Sequence, residues 1–207
     1  MSKLTIISSK YMVKIFQKQG FEEIRQKGSH KSNLRRIHRI IMNNQNLIFK
    51  PFEEGQEYIV SELVWGVFKE FEAPDYSKEG IKTFKDFIVP QNIVDMVKAS
   101  DFKIYCCFDN KSLIGVLALK DNTHIALLFV CKKYHRRGIA KELLKIALAD
   151  ISIYCPDASE LTVNSSPYAV KIYERLGFFP RGKMEERDGI KFVPMKKIIQ
   201  QRMTDNE

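Results

Sequence analysis

Two hydrophobic periods alternate along this chain, and the switches between them mark its elements. Met12, Ile15 and Phe16 recur at helical spacing between a capping Ser9 and a terminating Gly20, which predicts a helix over residues 9–19. Phe21–Gln26 alternates imperfectly, as a short strand does, and Gly28-Ser29 is a turn. Asn33 opens a second predicted helix through Met42, with Leu34, Ile37, Ile40 and Ile41 on one side. Asn43–Asn46 is a polar linker. From Leu47 the pattern predicts a strand to Phe52, then helices over Gln56–Phe71, Lys78–Val89 (capped by Ser77, broken by Pro90) and Asn92–Ala99. In Phe102–Phe108, Phe102, Ile104, Cys106 and Phe108 face one way, and Lys103, Tyr105 and Cys107 the other. Turns at 109–111 and 121–123 lead into Leu113–Leu119 and Ile125–Cys131, which makes an antiparallel meander. A helix over 138–151, a strand Leu161–Val163, a helix Tyr168–Leu176 closed by Gly177, and strands near 179–185 and 191–199 complete the pattern. The predicted fold class is α/β: a mixed sheet with helices on both faces, preceded by a small helical segment.

Composition narrows this picture. The 207 residues suit one domain with a small appendage, and 44% hydrophobic content can fill a core. No apolar run approaches the roughly 18 residues of a membrane span, so no membrane partner is expected. The N-terminal ten residues do not read as a signal peptide. The four Cys show neither zinc nor disulfide spacing, so buried thiols in a reducing cytoplasm are expected, with no metal. The net charge is +9, and residues 1–45, with ten Lys/Arg against two Glu, hold +8 of it. The expected division is a basic segment over 1–45 and a main domain over 46–207. Nucleic acid is one candidate partner for the basic segment; a solvated helix face is the other reading.

The segment Leu128–Ala140, LFVCKKYHRRGIA, ends a strand, crosses a basic turn and opens a helix at Gly138. Helix-start amides lack intrahelical acceptors and sit at the positive end of the dipole, where an anion binds. Gly138 admits a phosphate close to the backbone, and Lys132, Lys133, Arg136, Arg137 and Lys141 surround it with charge. Alone, this pattern fits a pyrophosphate site and an ordinary helix start about equally. A second segment, Leu161–Phe178 (LTVNSSPYAVKIYERLGF), runs strand, polar turn, helix, Gly-Phe.

In this order, the two segments resemble the GNAT superfamily of acetyl-CoA-dependent N-acetyltransferases, over about residues 46–199. The family's loop is Gln/Arg-x-x-Gly-x-Gly/Ala; here it reads His135-Arg136-Arg137-Gly138-Ile139-Ala140, departing at its first position. The resemblance implies a mostly antiparallel sheet with a splayed centre and acetyl-CoA as co-substrate. Backbone amides of Arg136, Arg137, Gly138 and Ala140 would hold the pyrophosphate, with His135, Ile139 and Lys141 completing that loop. The backbone of Leu128 and Val130 would pair with the pantetheine arm, and an amide there would polarise the thioester carbonyl. Asn164 would contact the same arm. Tyr173 takes the family's general-acid position, with Tyr168 its competitor. His124, at the start of the strand leading to the cofactor, is the expected base, its ordinary pKa near 6.5 suiting the task; an exposed turn histidine is the alternative. Glu70, Glu72 and Asp75 either bind a cationic amine, act through water, or form a solvated helix end. The expected acceptor is a small-molecule or peptide amine, and the expected state a monomer or homodimer.

Residues 11–31, YMVKIFQKQGFEEIRQKGSHK, resemble the start of a HicA-type mRNA-interferase toxin, whose catalytic His would be His30. The strands that family places before its last helix are missing between Lys31 and Asn33, so the resemblance implies a truncated module. Two further readings stand beside acetyl transfer: a nucleic-acid-binding or RNA-cleaving protein, and a non-catalytic acyl-CoA sensor.

Overall fold

The computed structural model of the chain describes residues 22–23, 38–42, 45–99 and 102–199. Strands β1 (Glu22–Glu23), β2 (His38–Met42) and β3 (Gln45–Pro51) come first. Helices α1 (Glu57–Phe71), α2 (Lys78–Phe87) and α3 (Pro90–Lys98) follow. The meander is β4 (Phe102–Asp109), β5 (Ser112–Lys120) and β6 (His124–Val130). Then come α4 (Ile139–Tyr154), β7 (Glu160–Ser165), α5 (Val170–Arg175), β8 (Phe179–Pro180), β9 (Glu185–Arg187) and β10 (Ile190–Ile198). The described strands lie in the order β1-β2-β3-β4-β5-β6-β7-β10-β8, with β9 paired to β10 off that path. Of these pairings only β6–β7 is parallel.

The sheet has a core on each face because β4 alternates as its pattern predicts. Phe102, Ile104, Cys106 and Phe108 pack with Val60, Val64 and Phe68 of α1 and with Ile88 and Ile93. Tyr105 and Cys107 pack with Ile139, Leu143, Ile146, Ala147 and Ile151 of α4. At Gly115 a Cβ would stand 3.0 Å from Ile139 Cγ2, so the bare glycine lets the start of α4 settle against β5. The meander turns use Asn110, Asp121 and Asn122 at positive φ, residues whose short polar side chains tolerate that region. Ser77 caps α2, accepting from the Gly80 amide at 3.1 Å. Pro90 is the first residue of α3 rather than only a break, since an N–H at a helix's first position has no intrahelical acceptor to lose.

The second predicted helix is corrected. Its described part, residues 38–42, is β2, antiparallel to β3 with His38 opposite Phe49 and Met42 opposite Gln45. Its two consecutive isoleucines suit a strand, and the adjoining β3 supplies the ladder that helical spacing alone does not foresee. The short strand expected within 21–26 has its described counterpart in β1, paired with β2. Strand pairing therefore crosses the expected boundary at 45/46. The helix over 9–19, the turn at 28–29, His30 and Asn33 lie outside the described residues.

Candidate active site

Strands β6 and β7 pair only through His124–Thr162 and Ile125–Val163, then part. Ala126 has no partner on β5, because Leu119 opposes Ile125 and Ala118 opposes Leu127. This bulge reverses the strand's parity. Ile125 packs in the α4-side core, Ala126 and Leu127 both pack on the α1 side, and Leu128 and Val130 return to the α4 side. The backbone turns with the side chains. Thr123 still faces β7, its carbonyl accepting from Thr162 at 2.9 Å. Beyond the bulge Cys131 faces β5, its amide donating to Ile114 at 2.8 Å. Leu128 and Val130, offset from it by odd numbers of residues, therefore present their N–H and C=O groups to the open gap. The two residues expected to meet the pantetheine arm are those whose backbone the bulge exposes.

After β6 the chain makes a 3-10 turn, Lys132–Tyr134, held by the Tyr134 hydroxyl donating to Asp109 at 2.6 Å. Arg136 adopts φ +60, and Gly138, at φ +82, caps α4 with no side-chain hydrogen bond. The Ile139, Ala140 and Lys141 amides thus lack intrahelical acceptors, as an anion site requires. The Ile139 side chain is buried, while Arg136 and Lys141 are exposed. His135 turns inward. Its Nε2, protonated, donates to the Val130 carbonyl at 2.7 Å, and its ring lies 5.2 Å from Phe71. Where the family's pattern has Gln or Arg, this imidazole already engages a carbonyl facing the gap.

Helix α1 packs in the core on one face of the sheet and Tyr173 of α5 in the core on the other, and the charge of Glu72 at the end of α1 acts on Tyr173. Tyr173 of α5 is buried in the α4-side core, edge-on to Phe178 at 5.4 Å. Burial, then the charge of Glu72, pushes its phenol far above the usual tyrosine range, so the hydroxyl keeps its proton. Glu72 caps the C-terminus of α1. Burial raises its carboxyl from 4.5 to about 7, and the neighbouring Ser166 hydroxyl offsets part of that rise. Ser166, just past the end of β7, is itself buried, and its hydroxyl meets no hydrogen-bond partner among the described residues. Tyr76 is also pushed up, by burial first and then by Glu72 and Asp75. Beside this group, Phe71 stacks on Tyr168 at 5.1 Å. The other two carboxylates differ: Glu70 pairs with Lys132 at the surface, and Asp75 is exposed.

His124 is not brought to this opening. It stands at the closed end, where β6 and β7 still pair, with Nδ1 2.8 Å from Thr162 Oγ1. Four residues of strand, about 13 Å, separate it from Leu128. Burial, then Lys120, lowers its pKa, with Asp121 opposing. Asn164 is exposed near the end of β7, beyond the last pairing with β6 and opposite Pro194 of β10. The resemblance singles out Tyr173 but gives no weight to Ser166 or Tyr76, and Glu72 stands there with Glu70 and Asp75 as acids that bind a cationic amine, act through water or form a solvated helix end. The signal available for Glu72 was its place, between Phe71 and Ala73-Pro74, where Pro74 disfavours continuing the helix. Among the described residues, no group of three His, Cys, Asp or Glu is arranged to hold a metal.

A sequence model of the acetyltransferase (GNAT) domain matches residues 72–199. Among solved structures, a GCN5-related N-acetyltransferase from Rhodopseudomonas palustris superposes with a TM-score of 0.62 at 19% identity, covering 77% of this chain and 98% of that one. The PaiA N-acetyltransferase from Thermoplasma acidophilum, solved in complex with coenzyme A, gives 0.58 at 20% identity over 73% and 98%. A ribosomal-protein-S5-alanine acetyltransferase from Vibrio fischeri gives 0.51 at 12% identity over 74% and 93%. No curated protein matches the chain.

Proposed function

The chain belongs to the acetyltransferase (GNAT) family, an acyltransferase family with acetyl-CoA as co-substrate, and from that premise we propose that it transfers the acetyl group to a primary amine by direct attack in a ternary complex. The acceptor is a small-molecule or peptide amine. The observation that carries this reading is the bulge at Ala126, which turns the Leu128 and Val130 backbone into the gap beside the α4 start.

The residues fit the co-substrate in three places. Backbone amides of the 136–140 loop and Lys141 suit the pyrophosphate, with Gly138 at φ +82 supplying the curvature. The exposed strand edge suits the amides of the pantetheine arm, which Asn164 flanks. An N–H there polarises the thioester carbonyl, and one such donor contributes about 10²–10³-fold in rate. The amine nitrogen attacks the thioester carbon, the C–N bond forms and the C–S bond breaks. Tyr173, held protonated by burial, gives its proton to the departing sulfur. We place the reaction in the cytoplasm, where the free thiols of Cys106, Cys107, Cys131 and Cys155 stay reduced, and in the unit 46–207, with 1–45 as its basic extension. No described helix is long and apolar enough to cross a membrane.

Calorimetric titration with acetyl-CoA, desulfo-CoA and ATP tests the site. Acetyl-CoA and desulfo-CoA are expected to bind in the micromolar range and ATP to fail. Tyr173→Phe is expected to keep that binding and to lose about 10²-fold or more in kcat. Full activity in this variant would remove Tyr173 from the mechanism.

A further inference from the structure

Glu72 stands where an acceptor amine would lose its proton, and we infer that it is the general base of the transfer, taking the ammonium proton in the recess it shares with Tyr173, Tyr76 and Ser166. The inference rests on the acetyl-transfer reading. Three observations carry it. Glu72 is fixed at the end of α1 by its own amide, which donates to Phe68 at 2.9 Å. The preceding Phe71 lies against both Tyr168 and His135. From there its charge acts on Tyr173, which belongs to the core on the opposite face of the sheet.

The second observation is Ser166. Its buried hydroxyl lies beside the carboxylate and favours the charged form that accepts a proton. The third is protonation. A base works best with a pKa near the operating pH, and burial has moved Glu72 to about 7. The charged and titratable groups around it are Tyr173 from α5 and Tyr76 and Asp75 from the turn after α1, with His135 and the Lys132–Glu70 pair on the far side of Phe71. An arriving ammonium stabilises the carboxylate and so favours the competent form.

The proton count closes. Two protons leave the nitrogen as the ammonium becomes an amide. Glu72 takes the first and passes it to solvent. The second restores the proton that Tyr173 gives to sulfur. The products are the N-acetyl amide, CoA thiol and one released proton.

The test follows thiol release from acetyl-CoA with putrescine, tyramine, kanamycin and an alanyl peptide as acceptors, from pH 5.5 to 9. Wild type is expected to show an acid limb in kcat/KM near pH 7, rising as Glu72 loses its proton. Glu72→Gln should bind acetyl-CoA with unchanged Kd, which also reports that it folds. Its kcat/KM should fall 10²–10⁴-fold, with the limb gone. Glu72→Asp should recover part of the rate and keep a limb. An active wild type whose Glu72→Gln variant stays within threefold, or keeps the limb, overturns the base and leaves acetyl transfer standing. A wild type that neither binds nor consumes acetyl-CoA overturns both.

Discussion

Replacing Glu72 by Gln should make the protein more stable while making it inactive, and only above acid pH. The folded state holds the Glu72 proton more tightly than the unfolded chain does, with the carboxyl raised from 4.5 to about 7. Stability therefore falls as pH rises through that window: the cost is absent below about 4.5 and complete above about 7. At about 1.4 kcal/mol per pH unit, the charged form costs about 3 kcal/mol. Glutamine carries no charge and escapes this, and the effect of the Ser166 hydroxyl is already contained in the shift. The gain at pH 8 is therefore about 3 kcal/mol, or about 6–12 °C in Tm for a chain of this length. Scanning calorimetry of both proteins at pH 4.5 and pH 8 reads it directly. Common acid effects cancel in the difference between variants, leaving almost no gap at pH 4.5 and the full gap at pH 8. An equal gap at both pH values, or a lower Tm for the variant at pH 8, would refute the burial of a strained carboxylate. Stabilisation joined to loss of activity marks a residue kept for its chemistry.

Further substitutions probe the other parts of the cleft. Gly138→Ala forces a side chain onto φ +82 where a phosphate should approach; acetyl-CoA affinity should fall at least tenfold by calorimetry, with about 1 kcal/mol lost from the fold. His135→Ala frees the Val130 carbonyl for the pantetheine arm, and one hydrogen bond of about 1 kcal/mol implies about fivefold tighter acetyl-CoA binding; an unchanged Kd would mean that the arm does not use that carbonyl. Gly80→Ala places a Cβ 2.1 Å from the Gly189 carbonyl oxygen, so the β9–β10 turn must lift off α2; thermal unfolding should show a loss of about 1–3 kcal/mol.

What the sequence carried and what it hid divide along a physical line. Local chemistry was legible. Gly138 at the helix start, Ser77 as a cap and the alternation of β4 each depend on a few adjacent residues, and each stands as expected. The helix predicted through Met42 failed because Ile40 and Ile41 fit two periods, and the choice falls to β3, a non-local partner. The bulge at Ala126 left no trace, since Ile125–Val130 is apolar throughout and a parity change cannot be read where every position is apolar. Glu72 was named but not told apart from Glu70 and Asp75, for the same reason in another form. Its neighbours in sequence describe a helix end, while the groups it acts on, Ser166 and Tyr173, lie some hundred residues away. His124 is different, because the chain's direction alone argues against it. The strand runs from His124 toward the Gly138 loop, so its first residue stands about 20 Å from Val130 at the loop end. A base must reach the nitrogen that attacks the thioester, and the thioester lies where the strand edge opens. That condition selects a residue entering the gap from across the sheet, and α1 ends there, at Glu72.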